Sequence, residues 1–342
     1  MIKMKKNLLV TLADRNYIDQ AKQLFSSVYW NAGWKGDYML LAHEIPEKEL
    51  KWFRDKGILI KKCKPPYDKQ FPIWPSCVLN KFYLFTSYFK KWKNIIFLDA
   101  DIIVRASLNE LTKIKGFAAA SAGKLLKMFI GSLHARISKI DKQILKKLKE
   151  NYDLKEHGFN TGVMAFSTDL IKKNTFSKLK KLFEFYNEVG AAAEQPIINL
   201  LFYKKWIKLP TIYNINPCSI NHYVNIKPEK IKGIILHFNR YRPWDPRNYF
   251  YKEWNYNLDK AELINLNKIP SNIKKWTKQE IKNYLLYLKK RQIKYSYKYF
   301  FWKTNLYTKR FIDKNIGLFG IFLKNNFPRL YFKIKRLENE KS

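Results

Sequence analysis

Two aspartates one residue apart, Asp99 and Asp101, interrupt the apolar stretch Ile95-Ile96-Phe97-Leu98-Asp99-Ala100-Asp101-Ile102-Ile103-Val104. The run is β-branched and continuous, the pattern of a strand buried on both faces. Carboxylates in such surroundings are destabilising unless their desolvation is compensated, and a divalent cation is the usual partner. Positions i and i+2 of a strand face the same side, roughly 6.5–7 Å apart, so both side chains could reach one hard ion or its waters. The plainer alternative is two acids in a turn that happens to break an apolar run.

Three further groups could do chemistry. Gly158-Phe159-Asn160-Thr161-Gly162 sets a polar pair between glycines ahead of apolar Val163-Met164-Ala165-Phe166. Such spacing suits a tight turn or a close backbone approach to a ligand, with an ordinary loop into a strand as the alternative. Glu194-Gln195 stand at the entry of the helical pattern Pro196 to Leu201. Gly233-Ile234-Ile235-Leu236-His237-Phe238 reads as a buried strand ending in histidine, and Asn239-Arg240-Tyr241-Arg242-Pro243-Trp244 puts two guanidiniums beside it. A lone histidine there is more often a satisfied core group than a ligand.

The elements that must position these groups alternate. Lys6 to Leu12 reads as a buried strand, Ala13 to Tyr17 as a polar loop, and Ile18 to about Asn31 as a helix with Ala21, Leu24, Phe25 and Val28 on one face. Asp37 to Ala42 is a second strand. Pro46 with Glu47 to Lys56 is a second helix, proline at its first turn and acids near the positive end of its dipole. Ile58 to Ile60 begins a third strand. This order argues for a parallel sheet covered by helices. Pro65 to Pro75 is loop, Cys77 to Phe89 a helix, Phe117 to Ala120 a strand, Ile137 to Asn151 a basic helix, and Leu209 to Asn214 a strand or turn. In open α/β sheets ligands gather beyond the carboxyl ends of the strands, where the loop after Leu12 and both aspartates would lie.

With 46% hydrophobic residues in 342, the chain folds around a sizeable core and is not a disordered basic tail. No apolar run reaches the roughly 20 residues of a membrane span. The start, Met1 to Leu12, has too short an apolar stretch for a signal peptide and reads as a first core strand. Cys63, Cys77 and Cys218 lack metal-ligand spacing and suit reduced cytosolic thiols. The net charge of +38 points to an acidic partner: nucleic acid, an anionic membrane or an acidic small molecule. Part of it reflects a general bias toward Lys, Asn, Ile and Tyr, as an AT-rich genome would produce. From about Leu266 the composition shifts. About twenty lysines and arginines stand against four acids there, interleaved with Trp276, Tyr284, Tyr287, Tyr295, Trp302 and other aromatics. This reads as a helical extension suited to the headgroup region of an anionic bilayer, with a helical cap on the preceding α/β domain as the structural alternative. Nucleic-acid binding would leave the aspartates, His237 and Asn160 unexplained.

Taken together, in order along residues 6 to 260, these pieces resemble the family 8 glycosyltransferases, which include glycogenin and the bacterial lipooligosaccharide α-galactosyltransferases. The resemblance implies a single GT-A-type, Rossmann-like nucleotide-sugar domain of the α/β class with a mixed sheet over 1–265, followed by a basic, aromatic-rich helical extension over 266–342. Thr11-Leu12-Ala13-Asp14-Arg15-Asn16-Tyr17 is similar to the family's uridine-binding segment, with Asp14, Asn16 and Tyr17 on uridine and ribose. Lys81, about eighteen residues before the acids, matches a basic residue near the donor phosphates. Leu98-Asp99-Ala100-Asp101 matches the metal-binding DxD. Asn160, Thr161 and Gly162, with Glu194 and Gln195, correspond to donor-sugar and acceptor-side motifs. His237 matches a third metal ligand, and Asn239, Arg240 and Arg242 the diphosphate-holding close. Arg242 stands where lysine is common, Glu194 where aspartate is usual, and the closing motif is one residue short.

The activity so implied is a retaining, UDP-sugar-dependent hexosyltransferase. Mn²⁺, or alternatively Mg²⁺, would sit on Asp99, Asp101 and His237, the mixed O/N set suiting Mn²⁺ better. Asp99, Asp101, Glu194 and Gln195 carry the expected chemistry. The expected partners are a UDP-hexose donor, a surface glycan or glycolipid acceptor of lipopolysaccharide type, and an anionic membrane. The expected location is the cytoplasm, peripherally at the inner face of the cell membrane. A glycogenin-like self-glucosylating protein is the rival within the family, and no tyrosine stands out as its primer.

Overall fold

A computed structural model describes residues 5–67, 75–130, 142–186, 193–239, 242–271 and 273–296. The first strand, β1 (Lys5–Asp14), is followed by α1 (Ile18–Ser27), β2 (Asp37–His43), α2 (Glu47–Asp55) and β3 (Leu59–Lys62). Then come β4 (Trp92–Leu98), β5 (Ile102–Val104), β6 (Phe117–Lys124), α3 (Leu125–Ile130), α4 (Lys142–Asn151) and β7 (His157–Ser167). After α5 (Thr175–Tyr186) and α6 (Glu194–Leu201) the chain forms β8 (Trp206–Leu209) and β9 (Ile235–His237), and a helix over Tyr251–Asp259 follows.

Seven strands form one sheet in the order β3-β2-β1-β4-β7-β6-β8. The half β3-β2-β1-β4 is parallel, as the alternation of strands and helices requires. Beyond β4 the sheet turns mixed, because β7 runs antiparallel to both β4 and β6 while β8 is parallel to β6. The sheet is therefore mixed, as the resemblance implies, and the parallel order read from the first three strands holds for its first half. From β1 the order leaves in one direction to β2 and in the other to β4, which makes the carboxyl ends of β1 and β4 the switch point where a crevice opens.

The apolar run around the aspartates corrects the single-strand reading. It splits into β4, inside the large sheet, and β5, which pairs with β9 in a separate two-stranded sheet. Asp99-Ala100-Asp101 is the corner between them. The pattern reads as one strand because both halves are fully buried, Ile95 to Leu98 on one side and Ile102 to Val104 on the other. Gly158 to Phe166 is no turn either; it lies within β7, and its glycines let protein side chains approach closely, Asn199 at Gly158 and His237 at Gly162. Residues Ser76–Phe85 and Ser87–Lys91 are successive 3₁₀ turns instead of one α-helix. The basic helix begins at Lys142 among the described residues, and 131–141 lie outside them.

The chain divides into two compact units, 1–221 with 226–285, and 222–225 with 286–342. Within the first, the start of the basic stretch is tied down. Tyr29 Oη donates to the carbonyls of Asn265 and Lys268, and the Ser107 amide donates to Lys274 at 2.9 Å. Residues 286–296 of the second unit are helical. No described helix is long and apolar enough to cross a membrane.

Candidate functional site

Strand register brings the predicted residues together. Leu98 pairs with Val163, and the Asp99 amide donates one step further on, to the Gly162 carbonyl at 2.8 Å. On the other side of the corner, Ile102 pairs with His237, and the Phe238 amide donates to the Asp101 carbonyl at 3.1 Å. The aspartates thus face a glycine of one sheet and a histidine of the other. Ligand atoms of Asp99, Asp101 and His237 all lie within 4.8 Å of one another. His237 Nε2 is 3.2 Å from Asp101 Oδ1 and 3.8 Å from Asp99 Oδ2. Gly162 is required here, since a Cβ at that position would overlap the His237 ring and come within 2.7 Å of Asp99 Oδ2.

These groups stand in a cleft of about 680 Å³ at the switch point. Leu12, Ala13, Asp14 and Tyr17 line one side, at the end of β1. Lys81, Asn160, Thr161, Glu194 and Gln195 line the other. Asp99, Ala100, Asp101 and His237 lie between them, and Asn239, Arg242 and Trp244 also line the cleft. Thr11 is not on the wall; it is fully buried and its hydroxyl donates to the Leu98 carbonyl at 2.7 Å, tying β1 to β4 just below the corner. Asn16 is absent from the wall too. Its amide donates to Asp14 Oδ1 at 2.9 Å, an Asx turn that shapes the loop. Arg240 lies outside the described residues.

Lys81 is the least expected finding. Its ammonium, on a residue 4% exposed, is held by Asp99 Oδ1 and Glu194 Oε1, each at 2.8 Å. Two carboxylates thus share the ammonium at the point where it lines the cleft. Thr161 Oγ1 also donates to Glu194 Oε1, at 2.9 Å. Beside them Asn160 Nδ2 donates to Gln195 Oε1, and Asn199 Nδ2 donates to the Phe159 carbonyl while its Oδ1 accepts from the Phe159 amide. Ala193, just before Glu194, has φ 47°, a rare conformation for alanine that aims the start of α6 at the cleft.

The charges answer one another. Burial alone would depress the Lys81 ammonium, but Asp99 and Glu194 outweigh it and hold the group protonated. Burial likewise opposes the charged form of His237, and Asp101, with help from Asp99, raises it nonetheless. Asp99 is raised by burial despite Lys81 and His237, whereas in Asp101 the nearby His237 overcomes burial and lowers it. Burial pushes the thiol of Cys77, on the cleft wall, up to about 12.

Two carboxylates and one imidazole converging between the walls of this crevice form a donor set that fits a divalent cation of Mn²⁺ or Mg²⁺ type. Missing from the sequence reading were Asn214, which bonds His237 Nδ1 at 2.9 Å, and the wall residues Pro75, Cys77 and Val78. Asn214 sits in a short turn after Tyr213 with no motif around it; only the fold brings it to the histidine.

The half-parallel mixed sheet with its switch-point crevice is that of the GT-A glycosyltransferases. The family model "Glycosyl transferase family 8" matches residues 8–247, and the chain belongs to that family. Among curated proteins, glycosyltransferase GlyB of Streptococcus pneumoniae is 23% identical over 75% of this chain, and galactinol synthase 4 of Arabidopsis thaliana 25% identical over 59%. Each match spans 62% of the relative's own length. Among solved structures, the galactosyltransferase LgtC in complex with donor and acceptor sugar analogs superimposes with a TM-score of 0.56 at 16% identity, over 74% of this chain and 95% of that one. GlyE of Streptococcus pneumoniae gives 0.53 at 22% identity, over 77% and 62%.

Proposed function

We propose that the chain transfers a hexose from a UDP-hexose to a glycan or glycolipid acceptor of surface-glycan type, with retention of configuration and with a divalent cation, Mn²⁺ over Mg²⁺. The observation that carries this reading is the convergence of Asp99, Asp101 and His237 within 4.8 Å in the cleft. These three residues would hold the cation, which when bound supplies Lewis-acid stabilisation to the leaving diphosphate. The names of the relatives, a galactosyltransferase and a galactinol synthase among them, support a hexosyl donor.

The wall of Leu12, Ala13, Asp14 and Tyr17 suits a planar base with its ribose, and Arg242 at the rim offers a planar fork to phosphate. Gln195 Oε1 accepts from Asn160 and Thr161, which reserves its amide nitrogen as a donor for a sugar hydroxyl. Glu194 accepts both the Lys81 ammonium and the Thr161 hydroxyl on Oε1. A carboxylate so stabilised is a weak nucleophile, so the acceptor proton goes to the departing diphosphate and Glu194 holds the site in shape. Glu194→Gln should keep donor binding and measurable turnover; a trapped glycosyl-enzyme on Glu194 would contradict this.

The deciding experiment is a screen of UDP-sugars for hydrolysis with Mn²⁺, with Asp101→Ala as control. One UDP-hexose should be hydrolysed by wild type and not by the variant. Equal hydrolysis by both, or none of any UDP-sugar, would sink the reading. The basic, aromatic stretch supports a second element of the proposal, cytoplasmic placement with peripheral attachment to the inner face of the membrane. The stretch proposed for this attachment is the basic, aromatic extension, 266–342. Salt-sensitive sedimentation with anionic liposomes, and none with neutral ones, is the expected result.

A further inference from the structure

Asn214 bonds to both His237 and Asn160, and its place in the network fixes which ring nitrogen of His237 carries the proton. The assignment starts from backbone N–H groups, which can only donate. The Gly162 amide donates to Asn160 at 2.9 Å, so the accepting atom is Oδ1 and the other terminal atom is Nδ2. That Nδ2 donates at 3.0 Å to Gln195 Oε1, the same oxygen that accepts from the Thr161 amide at 3.2 Å. Asn160 is thereby pinned from both ends. Its Oδ1 takes a second bond from Asn214 Nδ2 at 3.0 Å, which leaves Asn214 Oδ1 to face His237 Nδ1 at 2.9 Å. An amide oxygen only accepts. Nδ1 must therefore donate, and in the neutral ring the lone pair falls on Nε2, the nitrogen facing Asp101 and Asp99.

We propose that Asn214 is a positioning residue for cation binding. It commits Nδ1 as a donor, so a bare Nε2 completes the ligand set with Asp99 and Asp101, and it couples that choice to the orientation of Asn160 on the sugar side. Without Asn214 the two carboxylates would draw the proton to Nε2, the one nitrogen a cation needs. At 1% exposure His237 has no bulk water to supply another acceptor. The cation role rests on the metal-dependent reading above; the tautomer does not.

Two measurements test it. In ¹⁵N-labelled protein at alkaline pH, where the imidazole is neutral, long-range ¹⁵N–¹H correlation reports the tautomer, with His237 identified by its loss in His237→Ala. Wild type should carry its proton on Nδ1. Binding of Mn²⁺ without nucleotide, followed by the electron paramagnetic resonance of the free ion, should weaken about 10–100-fold in Asn214→Leu, the usual effect of removing a partner that orients a ligand. The same variant should move the proton to Nε2. Asn214→Asp keeps an acceptor for Nδ1 and should retain both the tautomer and Mn²⁺ binding within a few fold. A wild-type Nε2–H tautomer, or unchanged Mn²⁺ binding in folded Asn214→Leu, overturns the proposal. If Asn214→Leu does not fold, the wild-type tautomer and Asn214→Asp decide. Wild type with the expected tautomer but no Mn²⁺ binding removes the positioning role together with the cation reading, and leaves the proton assignment intact.

Discussion

The two walls of the cleft are built on different terms. On the side of β7 and α6, Lys81, Thr161, Glu194 and Asn199 are all buried, and each is bonded to a neighbour on another element. On the rim, Tyr17 is 39% exposed and Arg242 is exposed, and the contacts are few: an Asx turn at Asp14 and the edge-to-face packing of Tyr17 on Trp244 at 5.8 Å. A wall whose donors and acceptors are fixed before substrate arrives loses little on binding and can hold a reacting centre in register. A rim of rings and one long cation can adjust to a flat, charged ligand. The proposed sugar end is preorganised, and the proposed nucleotide end is adjustable.

Removing the central cation of the rigid wall should have the largest effect. Lys81→Met strands Asp99 and Glu194 as carboxylates without their shared partner. Breaking such a buried pair costs about 3–5 kcal/mol, toward the lower end because the Asp99 side chain is 26% exposed. Denaturant midpoints should fall accordingly, and Glu194→Gln in the same chain should recover part of the loss. A Lys81→Met protein as stable as wild type would mean this wall is no more rigid than the rim. Next comes Gly162→Ala. Its Cβ must displace the His237 ring or Asp99, at about 1–3 kcal/mol of overpacking strain, and Mn²⁺ binding should weaken about tenfold or more.

How much of this was legible in the sequence follows the same division. The parallel half of the sheet was readable because Leu8, Leu9, Val10 and Ile95 to Leu98 are buried on both faces and so form unbroken apolar runs. The corner at Asp99 was not, since its two flanking strands are equally apolar and only their partners, β7 for one and β9 for the other, separate them. His237 carried a local signal, an apolar run ending in a histidine. Asn214 carried none, as its role depends on two residues 23 and 54 positions away. Lys81 was legible as a cleft residue, but not the two carboxylates that close over it, because Asp99 and Glu194 come to it from other elements.

The rim should respond weakly and in a different currency. Tyr17→Ala removes one exposed aromatic pair, about 0.5–1.5 kcal/mol of stability, and with it the ring proposed to meet the base, so the melting temperature should move little while UDP binding weakens. A large loss of stability there would erase the contrast between the walls.

The smallest expected effect concerns how dry the cleft is. Cys77, 5% exposed on its wall, has its thiol raised from the ordinary 9.0 to about 12, first by burial and then by Asp14 and Glu194, against Lys81. The folded state then holds this proton more tightly than the unfolded chain does. Its contribution is complete below about pH 9 and is lost as pH rises toward 12, with a slope of at most about 1.4 kcal/mol per pH unit. Stability measured between pH 8 and 10.5 should therefore fall more steeply in wild type than in Cys77→Ser. Equal slopes would mean that the thiol ionises as it does in water. The polar wall would then owe its order to hydrogen bonds alone and not also to a cleft that excludes solvent.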